Sequence, residues 1–448
     1  MLSYHRKIVL SRAAMYKKRC ACTEQQYMVS WLLGEKRGGI VRGKGDSMQT
    51  WKRVFAAVWT GQAFSLLSSQ IVQFAIIWWL TYTTDSAAVL SVASLLGFIP
   101  QIIIGPIAGI FVDRWNRKWT MIIADGGIAV STLLLAIYFG MGGSALWPVY
   151  VALTVRSVGS AFHWPAMESS IALLVPEGFL TRAAGINTML YSLSAIFGQG
   201  AGALAMSVWP IHGVLLLDVF GAIIANGILA AMPIPEPERD AREQNAPNVF
   251  REFVAGWKAL TGDRKLLIFT LACAAMGVFE APPTSFTPLL ITRHYQGGAV
   301  ELGVVNAALG VGTLLGSIIL SAWGGFKNKM MTVATAVLIT GSSFFIMGLL
   351  PGSAFYGLVG MTVFLGISGA FFYGPFMALF QSRIPAAMQG RVLSMVQSLL
   401  WIASPLGLAV AGPLADRISI PFWYVVCGGM IILLGLFSLI QQLREHSK

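Results

Sequence analysis

The sequence predicts an all-α membrane protein: twelve transmembrane helices in two pseudo-symmetric six-helix bundles. Three observations predict it. Hydrophobic residues make up 56% of the 448-residue chain and charged residues only 11%, against about 25% charged in an ordinary soluble protein. Apolar runs long enough to cross a bilayer, roughly 20 residues each, recur twelve times. The two halves of the chain also resemble each other at a nearly fixed offset.

Taken in order, the runs lie at about 54–80, 87–112, 119–141, 147–169, 184–208, 213–233, 266–292, 300–323, 330–350, 354–380, 391–414 and 420–440. Connections such as Thr83-Thr84-Asp85-Ser86, Gly142-Gly143-Ser144 and Pro351-Gly352-Ser353 are short, which forces neighbouring helices to run antiparallel. Forty-eight glycines suit helices that approach closely in lipid. Two stretches read as soluble. Residues 1–50 form a basic tail without helical periodicity, with no hydrophobic stretch of a cleavable signal peptide; residues 1–47 are a true tail or an upstream translation start, with Met48 as the other start. Residues 234–265 are a linker, in which Val249, Phe253, Trp257 and Leu260 recur at the spacing of an amphipathic surface helix. The bundles then occupy 51–233 and 266–448.

The net charge is +12, and its distribution decides between nucleic acid and membrane. With the N-terminus placed inside, 28 of the 31 Lys and Arg fall on inside segments; Arg156 lies in a span, and only Arg293 and Arg417 fall outside. This bias predicts both termini in the cytoplasm and assigns the excess charge to topology and anionic headgroups, not nucleic acid. Cys20, Cys22, Cys273 and Cys427 are too few and scattered for a disulfide framework.

A shift of 209 residues lays Ser160-Ala161-Phe162 on Gly369-Ala370-Phe371, Pro176 on Pro385, Arg182 on Arg391 and Gly198 on Gly407 without gaps. A shift of 211 lays Gly105 on Gly316 and Lys118 on Lys329. Two parallel halves related by an axis along the membrane normal are a transporter architecture, with the substrate site between them near the midplane.

The loop after the second span reads Gly109-Ile-Phe-Val-Asp113-Arg114-Trp-Asn116-Arg117-Lys118. It resembles the major facilitator signature Gly-x-x-x-Asp-Arg-x-Gly-Arg-Lys, in the loop where that superfamily carries it. Asn116 replaces the usual glycine, and asparagine tolerates the left-handed backbone expected of such a turn. The resemblance implies a cytoplasmic gate of Gly109, Asp113, Arg114, Arg117 and Lys118. Asp113 would lie against the start of the eleventh helix near Arg391, at the positive end of a helix dipole. Arg117 would pair with an acid at the inner end of helix four. Glu168 fits, twelve residues beyond Arg156 and so about 18 Å nearer the cytoplasm. The matching loop Gly324-Gly325-Phe326-Lys327-Asn328-Lys329 keeps the basic residues and lacks the acid.

Arg156 in Leu-Thr-Val-Arg-Ser-Val-Gly159 resembles a second superfamily signature, one associated with proton coupling. Trp59-Thr60-Gly61-Gln62, Pro165-Ala166, Leu174-Val175-Pro176-Glu177 and Leu216-Leu217-Asp218-Val219-Phe220-Gly221 resemble the macrolide-efflux branch of the drug–proton antiporters, from about residue 48 to 440. Helix five, Gly198-Gln-Gly200-Ala-Gly202, has the glycines of the exporter pattern and no proline, which leaves the direction of transport open.

Ionisable groups inside a span are costly and mark function by default. Glu280 stands near mid-membrane in the seventh run, followed by Pro282, Pro283 and Pro288. Each proline removes a backbone bond, freeing the carbonyls of Val278, Phe279 and Thr284. A broken helix beside a carboxylate is a place for a proton or a substrate. Glu280, Arg156 and Asp218 are therefore the coupling residues expected, Asp218 also fitting a purely hydrogen-bonding role. Asp125 is expected to pair with the basic loop. Gln62, Gln73, His163 and Asn226 are candidates to line the cavity, as are Gln70, Trp78, Trp79 and Trp164.

The sequence holds no Gly-x-x-x-x-Gly-Lys-Ser/Thr loop, so ATP is not the visible energy source. Nor does a metal-ligand cluster or a nucleophile triad stand out. The expectation is a monomeric, non-enzymatic antiporter in a bacterial cytoplasmic membrane, without cofactor and driven by the proton gradient, that expels a small amphipathic, macrolide-like molecule. The alternatives are export of another cargo, such as a siderophore or lysophospholipid, and a non-transporting receptor.

Overall fold

Hydropathy alone explains where the helices lie. In the structure, a computed structural model, each apolar run becomes one long helix. The structure describes residues 44–176, 179–234, 257–258, 260–384 and 386–446. The helices are α1 (Lys44–Thr84), α2 (Ala87–Arg114), α3 (Arg117–Gly140), α4 (Trp147–Leu174), α5 (Leu180–Val208), α6 (Ile211–Ala231), α7 (Arg264–Leu289), α8 (Ala299–Trp323), α9 (Lys329–Leu349), α10 (Phe355–Arg383), α11 (Ala386–Ala415) and α12 (Ile420–His446). A π-helical turn, Leu290–His294, continues α7. Trp51–Lys448 forms one compact unit; of Met1–Thr50, a unit of its own, the described residues 44–50 are helical. Cys20 and Cys22 lie outside the described residues, as do Val249 and Phe253 of the expected surface helix; Trp257 is exposed and Leu260 buried.

Eleven described helices are long and apolar enough to cross a membrane. The fourth is as long as its neighbours but more polar, carrying Arg156, Ser157, Ser160, His163, Glu168, Ser169 and Ser170. Its polar side turns inward: Arg156, Ser157, His163 and Ser170 are all buried. The outward side chains are apolar instead, Ile123, Leu134, Phe197, Ile223, Ile318 and Val410 among them. That inversion suits lipid as solvent.

The repeat is visible in the packing. The α2–α4 contact recurs as α8–α10, and α3 against α4 and α6 recurs as α9 against α10 and α12. Between the six-helix halves, α2 packs on α11 and α5 on α8, a pair of interfaces exchanged by the same pseudo-two-fold. Gly198 and Gly407, aligned in the sequence, play one role. A Cβ on Gly198 would collide with Gln70 of α1, and one on Gly407 with the Val278 carbonyl of α7. Without side chains, α5 and α11 can lie against α1 and α7 at backbone contact.

Loop chemistry sets the helix ends. Ser86 caps α2 by accepting from Val89 N at 3.4 Å, and Asn116 caps α3 by accepting from Trp119 N at 3.2 Å. Asn116 has φ −67° and ψ 112°. It is therefore not left-handed as the signature's glycine led one to expect; its side chain serves as the N-cap. Asp85, with φ 43°, is left-handed at the end of α1, where its N–H reaches the Thr81 carbonyl at 3.0 Å.

Candidate functional site

Polar groups of the first half gather in two layers, each drawing on α1, α3, α4 and α6. In the first, Arg156 of α4 is ion-paired to Asp218 of α6. Arg156 Nη1 also donates to Thr132 Oγ1 of α3 at 3.1 Å, and Nη2 to the Ser69 carbonyl of α1 at 3.0 Å. Asp218 accepts from Ser69 Oγ at 2.6 Å and from Thr132 Oγ1 at 3.0 Å. The two charged side chains are 9% and 2% exposed. Each charge is thus paired and further hydrogen-bonded, which offsets the desolvation of an ion pair. The expected hydrogen-bonding role of Asp218 and the structural pairing of Arg156 are one network.

The second layer lies one to two turns nearer the Asn116 face. Asp125 of α3 is 5% exposed and accepts from Ser65 Oγ of α1, at 3.0 Å to each carboxylate oxygen. It does not pair with the basic loop, because its position on α3 turns it into the bundle. Gln62 precedes Ser65 by one turn on the same face of α1. Asn226 of α6 faces Gly126 of α3, and buried His163 of α4 is an electrostatic neighbour of Asp125. Of the residues expected along the cavity, His163 stands beside Asp125, and Asn226 lies against the next residue of α3, Gly126. Gln73 is only partly buried and stands three turns further along α1. Trp78 is buried, Trp79 packs on Phe139 at 4.6 Å and Trp164 on Tyr191 at 4.2 Å.

Glu280 is partly buried in α7. Its carboxylate makes no hydrogen bond or ion pair to the described residues. The helix is not broken there; it runs on through Pro282, Pro283 and Pro288 to Leu289. Side-chain hydroxyls brace this stretch at carbonyls that the prolines do not free. Thr284 Oγ1 donates to the Glu280 carbonyl, and Tyr424 Oη and Thr287 Oγ1 both donate to the Pro283 carbonyl, at 2.7 and 3.0 Å. The freed Val278 carbonyl lies against Gly407.

The side chains of Gly109, Asp113, Arg114 and Arg391 lie outside the described residues. Arg117 does not pair with Glu168. It donates to the Ser169 carbonyl at 2.8 Å, while Glu168 accepts from Asn187 Nδ2 of α5 at 2.7 Å. Asn187 in turn accepts from Trp59 Nε1 of α1 at 3.0 Å. Glu168 sits on the side of α4 that faces α5, so Arg117 finds a backbone carbonyl first. Lys118 donates to the carbonyls of Ala230 and Met232 at 2.7 and 2.9 Å, a cation closing the negative end of α6.

Charged contacts on the opposite face join the two halves. Asp416, just beyond α11, accepts from Ser86 Oγ at 2.6 Å, Ala87 N at 2.7 Å and Ala88 N at 3.2 Å, so a C-terminal carboxylate caps the start of α2. Arg293, in the π-turn after α7, donates to the Asp85 carbonyl, to Asp85 Oδ1 at 2.9 Å and to Asp416 Oδ1 at 3.5 Å. Nearby, Asn306 of α8 donates to Gln199 of α5 at 3.2 Å, and Ser91 of α2 abuts Gly412 of α11. The two halves are drawn together on the Asp85 face.

Residues 58–408 match the model of the Major Facilitator Superfamily. The chain belongs to this superfamily. As a facilitator it is a multi-pass membrane transporter. It is 35% identical over 401 residues to macrolide efflux protein A of Streptococcus pyogenes, covering 89% of this chain and 99% of that one. It is 26% identical over 393 residues to the multidrug efflux pump Tap of Mycolicibacterium fortuitum, covering 82% and 91%. Among solved structures, a mutant of the nucleoside transporter NupG superposes with a TM-score of 0.67 at 16% identity, covering 86% of this chain and 99% of that one. A POT-family transporter in complex with a thioalcohol-conjugated peptide gives 0.69 at 12%, covering 88% and 96%; these two likenesses concern the fold. The Arg293–Asp85–Asp416 cluster of this facilitator was not read from the sequence. A signal existed: all three are charges in short loops on the face that is otherwise poor in them.

Proposed function

We propose that this facilitator exports amphipathic, macrolide-like compounds across a bacterial cytoplasmic membrane in exchange for protons, by alternating access. Its near full-length similarity to macrolide efflux protein A carries the reading. The arrangement of charge supports it. Glu280 is a carboxylate without a counter-ion among the described residues, near the middle of a span, able to exchange a proton for a cargo between the halves. Arg156 and Asp218 are the fixed charge pair of the opposite half. They hold α1, α3, α4 and α6 as one body.

The bias of basic residues supports an Asn116 face turned to the cytoplasm, with both termini. The Asp85 face is then the outer one, and the contacts of Arg293 and Asp416 close it. Opening outward requires those bonds to break while the signature loop closes the inner side. In an efflux-deficient bacterium, residues 48–448 should raise resistance to erythromycin, and an uncoupler should abolish the gain. Unaltered susceptibility to macrolides, with the protein present in the membrane, argues for another cargo on the same fold.

A further inference from the structure

The two polar layers of the first half are chemically unequal. Asp218 is a fully served anion, with a guanidinium and two hydroxyls. Asp125 has one hydroxyl proton, from Ser65, shared between two oxygens at 3.0 Å, and a single O–H can complete only one of them. The same half holds three buried polar atoms without a hydrogen-bond partner among the described residues, His163 Nε2 of its neighbour and the amide oxygens Gln62 Oε1 and Asn226 Oδ1. Gln62 is 1% and His163 8% exposed. Such groups, taken out of water and left unpaired, are costly. The groups that act on Asp125 are Ser65 from α1, His163 and Arg156 from α4, and Asp218 from α6. Arg156 and Asp218 satisfy each other, which leaves His163 as the titratable neighbour free to act on Asp125. A proton serves His163, which an alkali cation does not. It turns the carboxylate into a donor or gives His163 a second N–H, and imidazole nitrogen is a poor ligand for hard cations.

We propose that Asp125 and His163 form a proton-holding site inside the first half, distinct from the Arg156–Asp218 pair. A hydronium ion gives up its proton to the carboxylate or the imidazole. The water left behind is released, and proton release runs in reverse. Its use in transport rests on the proton-coupled export proposed above; its existence does not.

Difference infrared spectroscopy of the whole protein in lipid tests it without cargo or gradient. As the pH is lowered, a carboxylic-acid C=O band should grow in. Asp125→Asn should remove that band, and His163→Gln should displace its midpoint. If Asp125→Asn does not accumulate, Asp125→Glu, which keeps the carboxyl, should shift the band's frequency. A band indifferent to substitution at 125, or a midpoint indifferent to His163→Gln, overturns the proposal. A wild-type protein that shows the Asp125 band but does not move erythromycin in vesicles supports this site and overturns the export reading.

Discussion

Arg156 and Asp218, 62 positions apart, meet as a buried ion pair that ties α4 to α6. Removing one partner strands the other charge in a low-dielectric interior. Arg156→Ala or Asp218→Ala should therefore destabilise the protein by about 3–5 kcal/mol, read as a lowered Tm in detergent. The double change Arg156→Met with Asp218→Leu should be much milder than either alone. Equal losses in all three would mean that the pair is not the structural link described.

The closed Asp85 face depends on Asp416. Partial burial alone pushes its carboxyl up, but hydrogen bonds from Ser86, Ala87 and Ala88 and the charge of Arg293 outweigh it, and the net shift is downward. A carboxyl whose value falls on closing stabilises the closed form fully above about pH 4 and loses that contribution as pH drops through the depressed value. The latch should thus be indifferent to pH between about 5 and 8. Asp416→Asn should loosen it at every pH in that range. In a background without Cys20, Cys22, Cys273 and Cys427, Ser91→Cys should react with an impermeant maleimide slowly. Adding Asp416→Asn should speed the reaction about tenfold, the worth of one charge-assisted hydrogen bond. An unchanged rate would show that the latch does not hold this face shut.

Gly407 lets α11 touch the proline-freed carbonyl of Val278. Gly407→Val should push α7 and α11 apart and cost about 1–3 kcal/mol or more, measured as loss of Tm. Gly200→Ala is the control: a Cβ there meets nothing within 4 Å, and the Tm should stay within about 0.5 kcal/mol equivalent of wild type.

Glu168 serves Asn187 and not Arg117. Glu168→Gln keeps an oxygen for that bond and should leave resistance and Tm near wild type. Asn187→Leu breaks both of its bonds, to Glu168 and to Trp59, and should lower the Tm. A severe loss of efflux in Glu168→Gln would restore the gate pairing that the signature implied.

What the sequence made legible follows from the physics of each feature. Helices declare themselves through runs of apolar residues, a local property, and the repeat through offsets as plain as Gly198 and Gly407. Arg156, Asp218 and Glu280 stand out singly because charge is rare in a span. Their partners do not, since contacts between helices 62 or 123 positions apart leave no periodic trace; Arg156 with Asp218 and Arg293 with Asp416 are such pairs. Arg117 shows the converse error. Its reach toward the inner end of α4 was legible, but not the choice between the Glu168 carboxylate and the Ser169 carbonyl, which depends on which side of α4 each presents. The prolines of α7 point to a broken helix, yet the chain stays helical through all three to Leu289, and the glycine that lets α11 close on the freed Val278 carbonyl, Gly407, lies far along the chain.

Proton-coupled export through Glu280 is tested most directly by erythromycin accumulation in inverted membrane vesicles energised by a proton gradient. Glu280→Gln should abolish gradient-driven accumulation while erythromycin exchange down its own gradient persists. Gradient-driven accumulation equal to that of the wild type, at equal protein in the membrane, would contradict the role assigned to Glu280.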